Sequence, residues 1–528
     1  MAMRINSIGG FSVERSAIRF PGADLQRLRR ARSEDGLYRQ PDGTAHSVLP
    51  RAGGRAANGA LAMRGQRAGR HGATCLIAIV MALCQGIAAH AANLSAGPMA
   101  GHRDAQSTLI WLQADGRAVA RIEYWPDAVD GRRALSAPAT LDIDSDFSAQ
   151  IALTGLEPGT TYRYRVLLDG REVRLPQALS FRTEARWQWQ RHSFNPAIGH
   201  VPPDFKVAFG ACSYINDPPN DRSLKPGGPY GGEIGIFDSI AAQHPDLMLW
   251  LGDNTYLRES DYASRSGIAR RYRRDRGIPE LQALLRTGNH YAIWDDHDFG
   301  PNDSNASYTY KADALRIFQR YWPNGAFGQP ETPGIFRVVS QNDADFFLLD
   351  GRYHRDADAA RGLANKSMLG AAQLRWLKNA LLASTANFKI IVSGSQVLRN
   401  VPPRIEGWSN FPEERREFLD WLADNRVAGV MFLSGDRHHT VLTKVARDNA
   451  YALHDFTCSP LTSGVHPPAR NEDLTQIDEG TLAIKRNFCT LDFAGPWSER
   501  RILLRAFDSG GVELWRREMG ARDLRYAK

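Results

Sequence analysis

Outside its first 91 residues the chain has no net positive charge. The formal charge of +8 comes from residues 1–91, which contain 13 arginines, no lysine and 5 acidic side chains. The remaining residues contain 53 basic and 53 acidic side chains. Proteins that bind nucleic acid usually present a basic surface on their folded part. The composition therefore does not support nucleic-acid binding by the folded part of this chain.

Cysteine is also scarce, and only Cys212, Cys458 and Cys489 lie beyond the first 91 residues, where Cys75 and Cys84 are found. In an exported protein, each remaining thiol needs a role. Metal ligation is one such role for Cys212. The other two form either a disulfide or a pair of buried small apolar side chains, and their number alone does not decide between these alternatives.

Long apolar runs are missing except at residues 73–89, which is short for a membrane span. The basic segment RGQRAGRHG (64–72) precedes this run, and Ala-His-Ala (89–91) follows it. This order predicts a signal peptide at 63–91, with residues 1–62 a disordered extension or a mis-assigned start. No arginine pair directly precedes the run, so we expect Sec-type export to the periplasm or the outside. A cleaved chain has no membrane span; an uncleaved anchor is the alternative.

Residues 95–185 are predicted to form an all-β domain. Apolar and polar residues alternate at 107–113, 120–126, 149–156, 161–170 and 179–184, and turn residues separate these runs. The segment GLEPGTTYRYRV (155–166) resembles the tyrosine corner of a fibronectin type III domain. In that motif the Tyr162 hydroxyl bonds back to the upstream backbone. We therefore expect a fibronectin type III-like β-sandwich that packs on the second domain.

Residues 186–203 are predicted to be a linker, and residues 204–520 to form an α/β domain. Four helix-like segments alternate with apolar strand-like runs, at 234–243, 311–322, 372–382 and 413–424. This alternation indicates a sheet covered by helices on both faces. The fold class predicted for the whole chain is thus α/β (α+β) preceded by an all-β sandwich.

Four short apolar runs of the second domain each end in a polar cluster. They are KVAFGACS (206–213), LWLGDNTY (249–256), AIWDDHDFGPND (292–303) and VMFLSGDRHH (430–439). Ligands of open α/β sheets bind beyond the carboxyl ends of the strands, so these clusters are expected to converge. The candidate metal ligands there are Cys212, Asp253, Tyr256, Asp296, His297, Asp436 and His438. Such an oxygen-rich set with imidazole and thiolate suits hard or borderline cations at a hydrolytic centre.

The order of these motifs resembles the PhoD-like alkaline phosphatase/phosphodiesterase family of the metallophosphatase superfamily. The resemblance covers roughly residues 95–520 and rests on GDNTY (252–256), WDDHD (294–298), GDRH (435–438) and Cys212. Two further segments match, DFFLLDGRYHR (345–355) and LGAAQLRWLKNALLAS (369–384). The resemblance implies a two-sheet sandwich flanked by helices, the metallo-dependent phosphatase type of fold.

The resemblance also implies a pair of metal ions. Asp253 takes the bridging position, and Asp296, Asp436 and His438 are further ligands. Cys212 and Tyr256 supply thiolate and phenolate, which favour Fe³⁺. The segment SGSQ (393–396) lacks the extra histidine of the superfamily, so Gln396 is a candidate substitute, and Ca²⁺ is the expected second ion.

The remaining predicted roles concern substrate. His297 is the candidate catalytic residue, as acid to the leaving group or as an electrostatic clamp. Asp295 or Asp298 is expected to orient its ring. Arg352 and Arg355, with Arg437 as a further candidate, offer the fork that phosphate prefers. Asn302 aligns with a family asparagine after the third motif and is a further candidate to touch metal or phosphate.

The function implied is an exported metal-dependent phosphoesterase that cleaves phosphomonoesters, phosphodiesters or both by attack of metal-activated hydroxide. One alternative is a phospholipase-D-like phosphodiesterase of the same fold. Another is a catalytically silent protein that binds a surface ligand through its β-sandwich. Turnover of monoesters against diesters separates the first two, and an absence of hydrolysis favours the third.

Overall fold

The computed structural model describes residues 91–128, 131–185, 187, 202–218, 223–224 and 228–527. The predicted signal peptide and residues 1–62 lie outside these residues, as does most of the predicted linker 186–203. Within the described ranges, no helix is long and apolar enough to cross a membrane.

The N-terminal region is built of β-strands in two layers, as the alternating pattern predicts. Strands β1–β9 are Leu94–Arg103, Ser107–Ala114, Ala118–Pro126, Ala134–Leu135, Ala139–Leu141, Ser148–Thr154, Thr161–Leu168, Arg171–Glu172 and Leu179–Arg182. One layer contains β1, β2 and β6, and the other contains β3, β4, β7 and β8 with β5 and β9 alongside. The layers enclose an apolar core of their own, which includes Ile110, Ile122 and Val166.

The tyrosine corner is present. The backbone N–H of Glu157 donates to the Tyr162 hydroxyl at 2.8 Å. The Tyr162 ring stacks on Phe181, with ring centroids 5.3 Å apart. The bond ties the turn at 155–160 to β7, which confirms the predicted hydroxyl-to-backbone bond, and the ring contact joins β7 to β9.

The rest of the chain alternates strands with helices. Strands β10–β23 are Phe205–Gly210, Ser223–Leu224, Gly228–Pro229, Leu247–Leu251, Asn289–Ile293, Arg337–Gln341, Ala344–Leu348, Phe388–Val392, Val430–Ser434, Val441–Arg447, Ala450–Thr457, Asn487–Ala494, Arg501–Asp508 and Glu513–Gly520. Helices α1–α7 are Ile236–Ala241, Arg265–Arg276, Gln282–Leu285, Asp296–Phe299, Lys311–Tyr321, Ala371–Ala383 and Pro412–Asp424. Short 3₁₀ turns lie at Pro279–Leu281, Trp408–Asn410, Trp497–Glu499 and Ala521–Leu524.

All four helices predicted from the sequence are present, as α1, α5, α6 and α7. Helix α2 was not predicted, because its sequence RSGIARRYRRDR is dominated by arginine. Its buried side includes Ile268, Tyr272 and the aliphatic part of Arg271. The Ser264 hydroxyl caps this helix by accepting from the N–H of Gly267 at 3.0 Å.

Two large sheets face each other, which confirms the predicted two-sheet architecture. The first has the order β23-β22-β21-β10-β13-β14-β1-β2-β6, and the second β15-β16-β17-β18-β20-β19. Aromatic side chains pack between them: the rings of Phe209 and Phe456 lie 5.0 Å apart, and those of Phe388 and Phe493 lie 5.6 Å apart. Large apolar side chains from both sheets thus share one core.

The N-terminal layer of β1, β2 and β6 continues the first sheet directly. Strand β1 pairs in parallel with β14, with Ala100 opposite Asn289. The Asn289 side chain strengthens this join by donating to the carbonyl of Gly101 at 2.6 Å. The sequence predicted a sandwich packed on a separate domain; the structure instead shares a sheet between them, since an edge strand is available on each side.

A disulfide joins the two large sheets. Cys458 directly follows β20 of the second sheet, and Cys489 lies in β21 of the first, with a Cα–Cα distance of 6.2 Å. Of the two alternatives left open by the sequence, the structure has the disulfide. Cys212 is the free cysteine of the described residues and is buried.

The tyrosine corner gives a test of the N-terminal packing. Tyr162→Phe leaves the Glu157 N–H without its acceptor, so the free energy of unfolding should fall by about 1–3 kcal/mol. Denaturant titration measures this change. Tyr124→Phe is the matched control, because its ring lies 6.2 Å from Tyr162 but its hydroxyl is not part of the corner. Equal losses in the two variants would contradict a specific role for the corner bond.

Candidate metal centre

Four loops carry the candidate ligands, and the sheet topology brings them to one place. Strands β10, β13 and β14 are parallel neighbours in the first sheet. Strand β18 lies inside the second sheet, parallel to β17. The polar clusters follow the carboxyl ends of these four strands, where ligands of such sheets bind.

Several of these residues have a left-handed backbone. The φ angles are 61° at Cys212, 53° at Asp253, 64° at Asp436 and 54° at His438. Non-glycine residues rarely adopt such angles, at a cost of about 1–3 kcal/mol each for the strained cases, and they cluster at functional sites. Here the turn at each strand end directs a polar side chain toward the gap between the sheets.

Glycine permits the two sheets to approach at this gap. A Cβ added to Gly435 would lie 2.5 Å from the Cβ of Ala211 and 3.1 Å from the carbonyl oxygen of Leu251. Within the first sheet, a Cβ added to Gly252, whose φ is 97°, would lie 2.7 Å from the Cβ of Asp295. The glycines of the GD motifs are therefore required by close backbone contact as well as by the turn.

The first group of candidate metal donors contains Cys212, Asp253 and His438, with one donor atom of each within 4.8 Å of the others. The Cys212 Sγ lies 3.7 Å from Asp253 Oδ2. Tyr256 joins this group, since its hydroxyl lies 3.2 Å from His438 Nε2. All four side chains are less than a tenth exposed. The structure thus brings together thiol, carboxylate, imidazole and phenol in one buried position.

The second group contains Asp253, Asp296 and His297, so Asp253 belongs to both groups. The Asp253 Oδ1 accepts from the backbone N–H of His297 at 3.2 Å. Asp296 Oδ2 accepts from the N–H of Asp303 at 2.8 Å. A carboxylate shared between two donor groups has the arrangement that a bridging ligand requires.

Hydrogen bonds fix the orientation of the His438 ring. Its Nδ1 lies 2.5 Å from the carbonyl oxygen of Gly464 and 3.2 Å from the Tyr230 hydroxyl. Because a carbonyl only accepts, Nδ1 carries the proton and Nε2 presents its lone pair toward Tyr256. The His466 ring stacks on His438 at 4.6 Å. Such bonds to the second nitrogen are typical of metal-binding histidines.

The electrostatics of the cluster favour a cation. Burial raises the pKa of the Cys212 thiol well above its usual value, and the Asp253 and Asp436 carboxylates raise it further. Burial and the neighbouring Asp296 carboxylate raise the pKa of Asp253 in the same way. Burial together with the Asp253 charge raises the pKa of Tyr256. Anionic donors packed out of water show these shifts unless a positive ion lies among them, so the donor set fits metal binding.

His297 lies over Tyr256, with ring centroids 4.3 Å apart. Its Nε2 is 4.0 Å from Asp296 Oδ2, and its buried Nδ1 has no hydrogen-bond partner. Burial lowers the pKa of His297, and the Asp296 charge opposes this effect. Neither Asp295 nor Asp298 holds the ring, so the predicted orienting role for these two carboxylates is wrong.

Asp298 and Asp295 have other partners. Asp298 accepts from the backbone N–H groups of Asn254 and Thr255, at 3.0 and 3.1 Å. Its second oxygen accepts from the N–H of Asp295 at 3.1 Å, which closes a capping box at the start of α4. Asp298 therefore holds the two strand-end loops together.

A third acidic group contains Asp295, Asp296 and Glu406, and a guanidinium lies among them. Arg352 is fully buried and forms two parallel bonds to Glu406, at 2.6 and 2.5 Å. Its Nε also donates to Asp295 at 2.5 Å. Carboxylates thus occupy the fork of Arg352. The sequence had suggested that this fork binds phosphate, but it is not open to a ligand. Glu406 had no sequence signal, because it lies in a loop without a motif.

The other predicted fork is occupied as well. Arg355 makes two bonds of 2.8 Å to Asp358. Arg437 pairs with Glu472 through two bonds of 2.9 Å and donates to Gln396 Oε1 at 2.8 Å.

Among the described residues, Asp436 does not fall in a donor group of histidine, cysteine, aspartate and glutamate side chains. The amide nitrogen of Gln396 donates to Thr457 at 2.7 Å, so both ends of this side chain have partners. Asn302 is exposed, beside Asp303. Asp436 is buried, and the charge of Glu406 acts on it. Burial first and then this charge raise the pKa of Asp436 to about 7.

Comparison with known proteins agrees with this geometry. A family model described as PhoD-like phosphatase matches residues 211–496. A model described as a domain of unknown function, DUF7800, matches residues 91–185. Alkaline phosphatase D of Bacillus subtilis (strain 168) is 23% identical over an alignment of 382 positions, which covers 62% of this chain and 60% of the relative. The match thus spans less than two thirds of that relative's length.

Two solved structures share the fold. A structure of PhoD has 16% sequence identity and a TM-score of 0.61, covering 78% of this chain and 85% of the other. Purple acid phosphatase PPD1 from yellow lupin (Lupinus luteus) seeds has 11% identity and a TM-score of 0.55, covering 81% and 75%. Because the PhoD-like model spans more than half of its length, the chain belongs to the PhoD-like phosphatase family.

Proposed function

We propose that this protein is an exported, metal-dependent phosphoesterase. The observation that carries the proposal is the pair of donor groups, Cys212–Asp253–His438 and Asp253–Asp296–His297, which share Asp253. Membership of the PhoD-like phosphatase family supports the same reaction class. A shared carboxylate between two buried donor groups is suited to phosphoryl transfer by two ions.

The donor chemistry suggests which ions bind. Cys212 and Tyr256 would hold Fe³⁺ together with His438, because thiolate and phenolate prefer iron to magnesium. Asp296 on the other side of Asp253 offers oxygen, which suits Ca²⁺. When bound, the ions supply Lewis acidity and a nucleophile derived from water.

His297 is proposed to act on the leaving group. Its Nδ1 is buried without a partner. The ring belongs to the second donor group, with its centroid 4.3 Å from that of Tyr256 and its Nε2 4.0 Å from Asp296 Oδ2. A phosphate ester bound there brings negative charge, which favours the protonated ring. His297 would then donate its proton to the departing alkoxide oxygen.

An assay of matched esters tests the proposal. Purified metal-loaded protein should hydrolyse a phosphomonoester, a phosphodiester or both, and the ratio of kcat/KM values assigns the preferred class. Hydrolysis of diesters alone would favour the phosphodiesterase alternative. No hydrolysis of either ester by metal-loaded protein would contradict the proposal and favour a silent binding protein.

Export predicts the start of the mature chain. Residues 64–91 contain a basic segment, an apolar run and Ala-His-Ala, in that order. We expect a signal peptidase to remove the leader after this segment. N-terminal sequencing of the periplasmic protein should then begin near Ala92. A periplasmic protein that retains Met63 would contradict this prediction.

Iron bound by phenolate gives a colour test. If Tyr256 and Cys212 bind Fe³⁺, the purified protein should absorb visible light by charge transfer from these ligands. Tyr256→Phe removes the phenolate and should shift or abolish the band, as followed by absorption spectroscopy with iron analysis. Tyr230→Phe is the control, because that hydroxyl contacts His438 Nδ1 rather than Nε2. Active, colourless and iron-free wild-type protein would contradict the assignment of iron.

His297 can be separated from the metal ligands by the leaving group. His297→Ala should lower kcat about 10²–10⁴-fold for an alkyl ester, the usual contribution of one positioned proton donor. The loss should be smaller for nitrophenyl phosphate, whose leaving group needs no proton. Metal content, measured in parallel, should stay close to wild type. Equal losses for both esters would indicate an electrostatic clamp, and loss of metal would make His297 a ligand.

A further inference from the structure

Arg258 has an unusual environment for a buried arginine. It lies two residues after Tyr256 and is 7% exposed. Among the described residues, its buried Nε and Nη2 have no hydrogen-bond partner. The nearest carboxylate oxygen, on the exposed Glu259, is 3.7 Å from Nε and beyond hydrogen-bonding distance. Two buried guanidinium nitrogens without hydrogen bonds are costly, so this position calls for a partner.

The other arginines of the centre do not share this feature. The forks of Arg352, Arg355 and Arg437 are occupied by Glu406, Asp358 and Glu472, each through two bonds. These three pairs neutralise carboxylates inside the fold.

Arg276 also has buried nitrogens without hydrogen bonds, but its guanidinium lies 3.7 Å from the Trp322 ring centroid. That cation–π contact stabilises its charge inside the core.

Arg258 lies beside the donor groups. The preceding residue, Leu257, donates its N–H to the carbonyl of His297 at 3.0 Å. The Arg258 N–H donates to Asp261 Oδ2 at 3.1 Å, which anchors the backbone and leaves the side chain to other partners. Burial lowers the pKa of His297, and the positive charge of Arg258 adds to this effect. The backbone bond between Leu257 and His297 therefore places Arg258 next to the donor groups.

We propose that Arg258 is the residue that binds the non-bridging oxygens of the substrate's phosphoryl group. A guanidinium presents parallel N–H donors that match two phosphate oxygens, and such charge-assisted bonds are strong. Bound phosphate satisfies the two nitrogens that the protein leaves unpaired. The inference rests on the proposed phosphoesterase function and gives that function its phosphate-binding residue.

Binding of inorganic phosphate tests the inference without turnover. The probes are Arg258→Lys, which keeps the charge but loses the fork, and Arg258→Gln, which loses both. Titration calorimetry on metal-loaded protein should show phosphate affinity about 10- to 100-fold weaker in Arg258→Gln, with Arg258→Lys between it and wild type. KM for an ester and the inhibition constant of phosphate should rise by similar factors.

Controls separate binding from folding. Arg265→Gln removes one positive charge from a largely exposed side chain seven residues along the chain and should leave phosphate affinity unchanged. Metal content and the unfolding temperature of both Arg258 variants should match wild type. If Arg258→Gln does not fold, Arg258→Lys decides the question alone.

The outcomes for Arg258 and for the proposed function are distinct. Folded, metal-loaded Arg258 variants with wild-type phosphate affinity would overturn the inference, whatever the esterase activity. Wild-type protein that binds phosphate but hydrolyses no ester would overturn the proposed function, while weaker phosphate binding in the variants would still support Arg258. Equal loss of affinity in Arg265→Gln would overturn the inference by showing a general charge effect.

Discussion

Repulsion between buried acidic groups is the constraint on which the rest of this centre depends. Two unit charges 4 Å apart interact with about 4 kcal/mol at an effective dielectric constant of about 20. At one end of the cluster, Arg352 offsets this cost for Asp295 and Glu406. At the other end, among the described residues, no arginine or lysine bonds to Cys212 or Asp253. The fold thus supplies a fixed cation on one side and leaves the other side to metal ions.

The backbone around the cluster holds these mutually repelling side chains close together. Left-handed residues at the ends of β10, β13 and β18 aim donors into the gap between the sheets. Gly435 permits the close approach of the two sheets that this gap requires. Strain of this kind persists only where surrounding structure holds it, and here two packed sheets and a disulfide do so. Metal binding would lower the electrostatic cost of the anionic side chains that this strained backbone brings together.

Much of the fold could be predicted from the sequence, because apolar runs that end at Gly-Asp mark both strands and ligands. The α/β architecture was predicted from the alternation of strand-like and helix-like segments, and the bond of Tyr162 from the resemblance of residues 155–166 to a tyrosine corner. The pairing of the arginine side chains could not be predicted. Arg352, which pairs with Glu406, and Arg258, whose Nε and Nη2 have no partner, look alike in sequence. Partners that come from loops far along the chain decide between these states.

Residues of irregular segments were missed for a related reason. Tyr230, Glu406 and His466 lie in loops with no periodic pattern, yet each contacts a side chain of the centre. The shared sheet of the two regions was also missed, since a single parallel pairing between β1 and β14 has no sequence signature. Such non-local contacts follow from the tertiary structure alone.

The central claim is that Asp253 joins two metal ions in a phosphoesterase site. Asp253→Asn is the direct probe, because asparagine keeps the shape and tolerates the left-handed backbone at this position. Metal analysis and turnover should be measured together on wild type and this variant. The account predicts that wild type contains metal and hydrolyses a phosphate ester, and that the variant loses both. A variant with wild-type metal content and activity would contradict it.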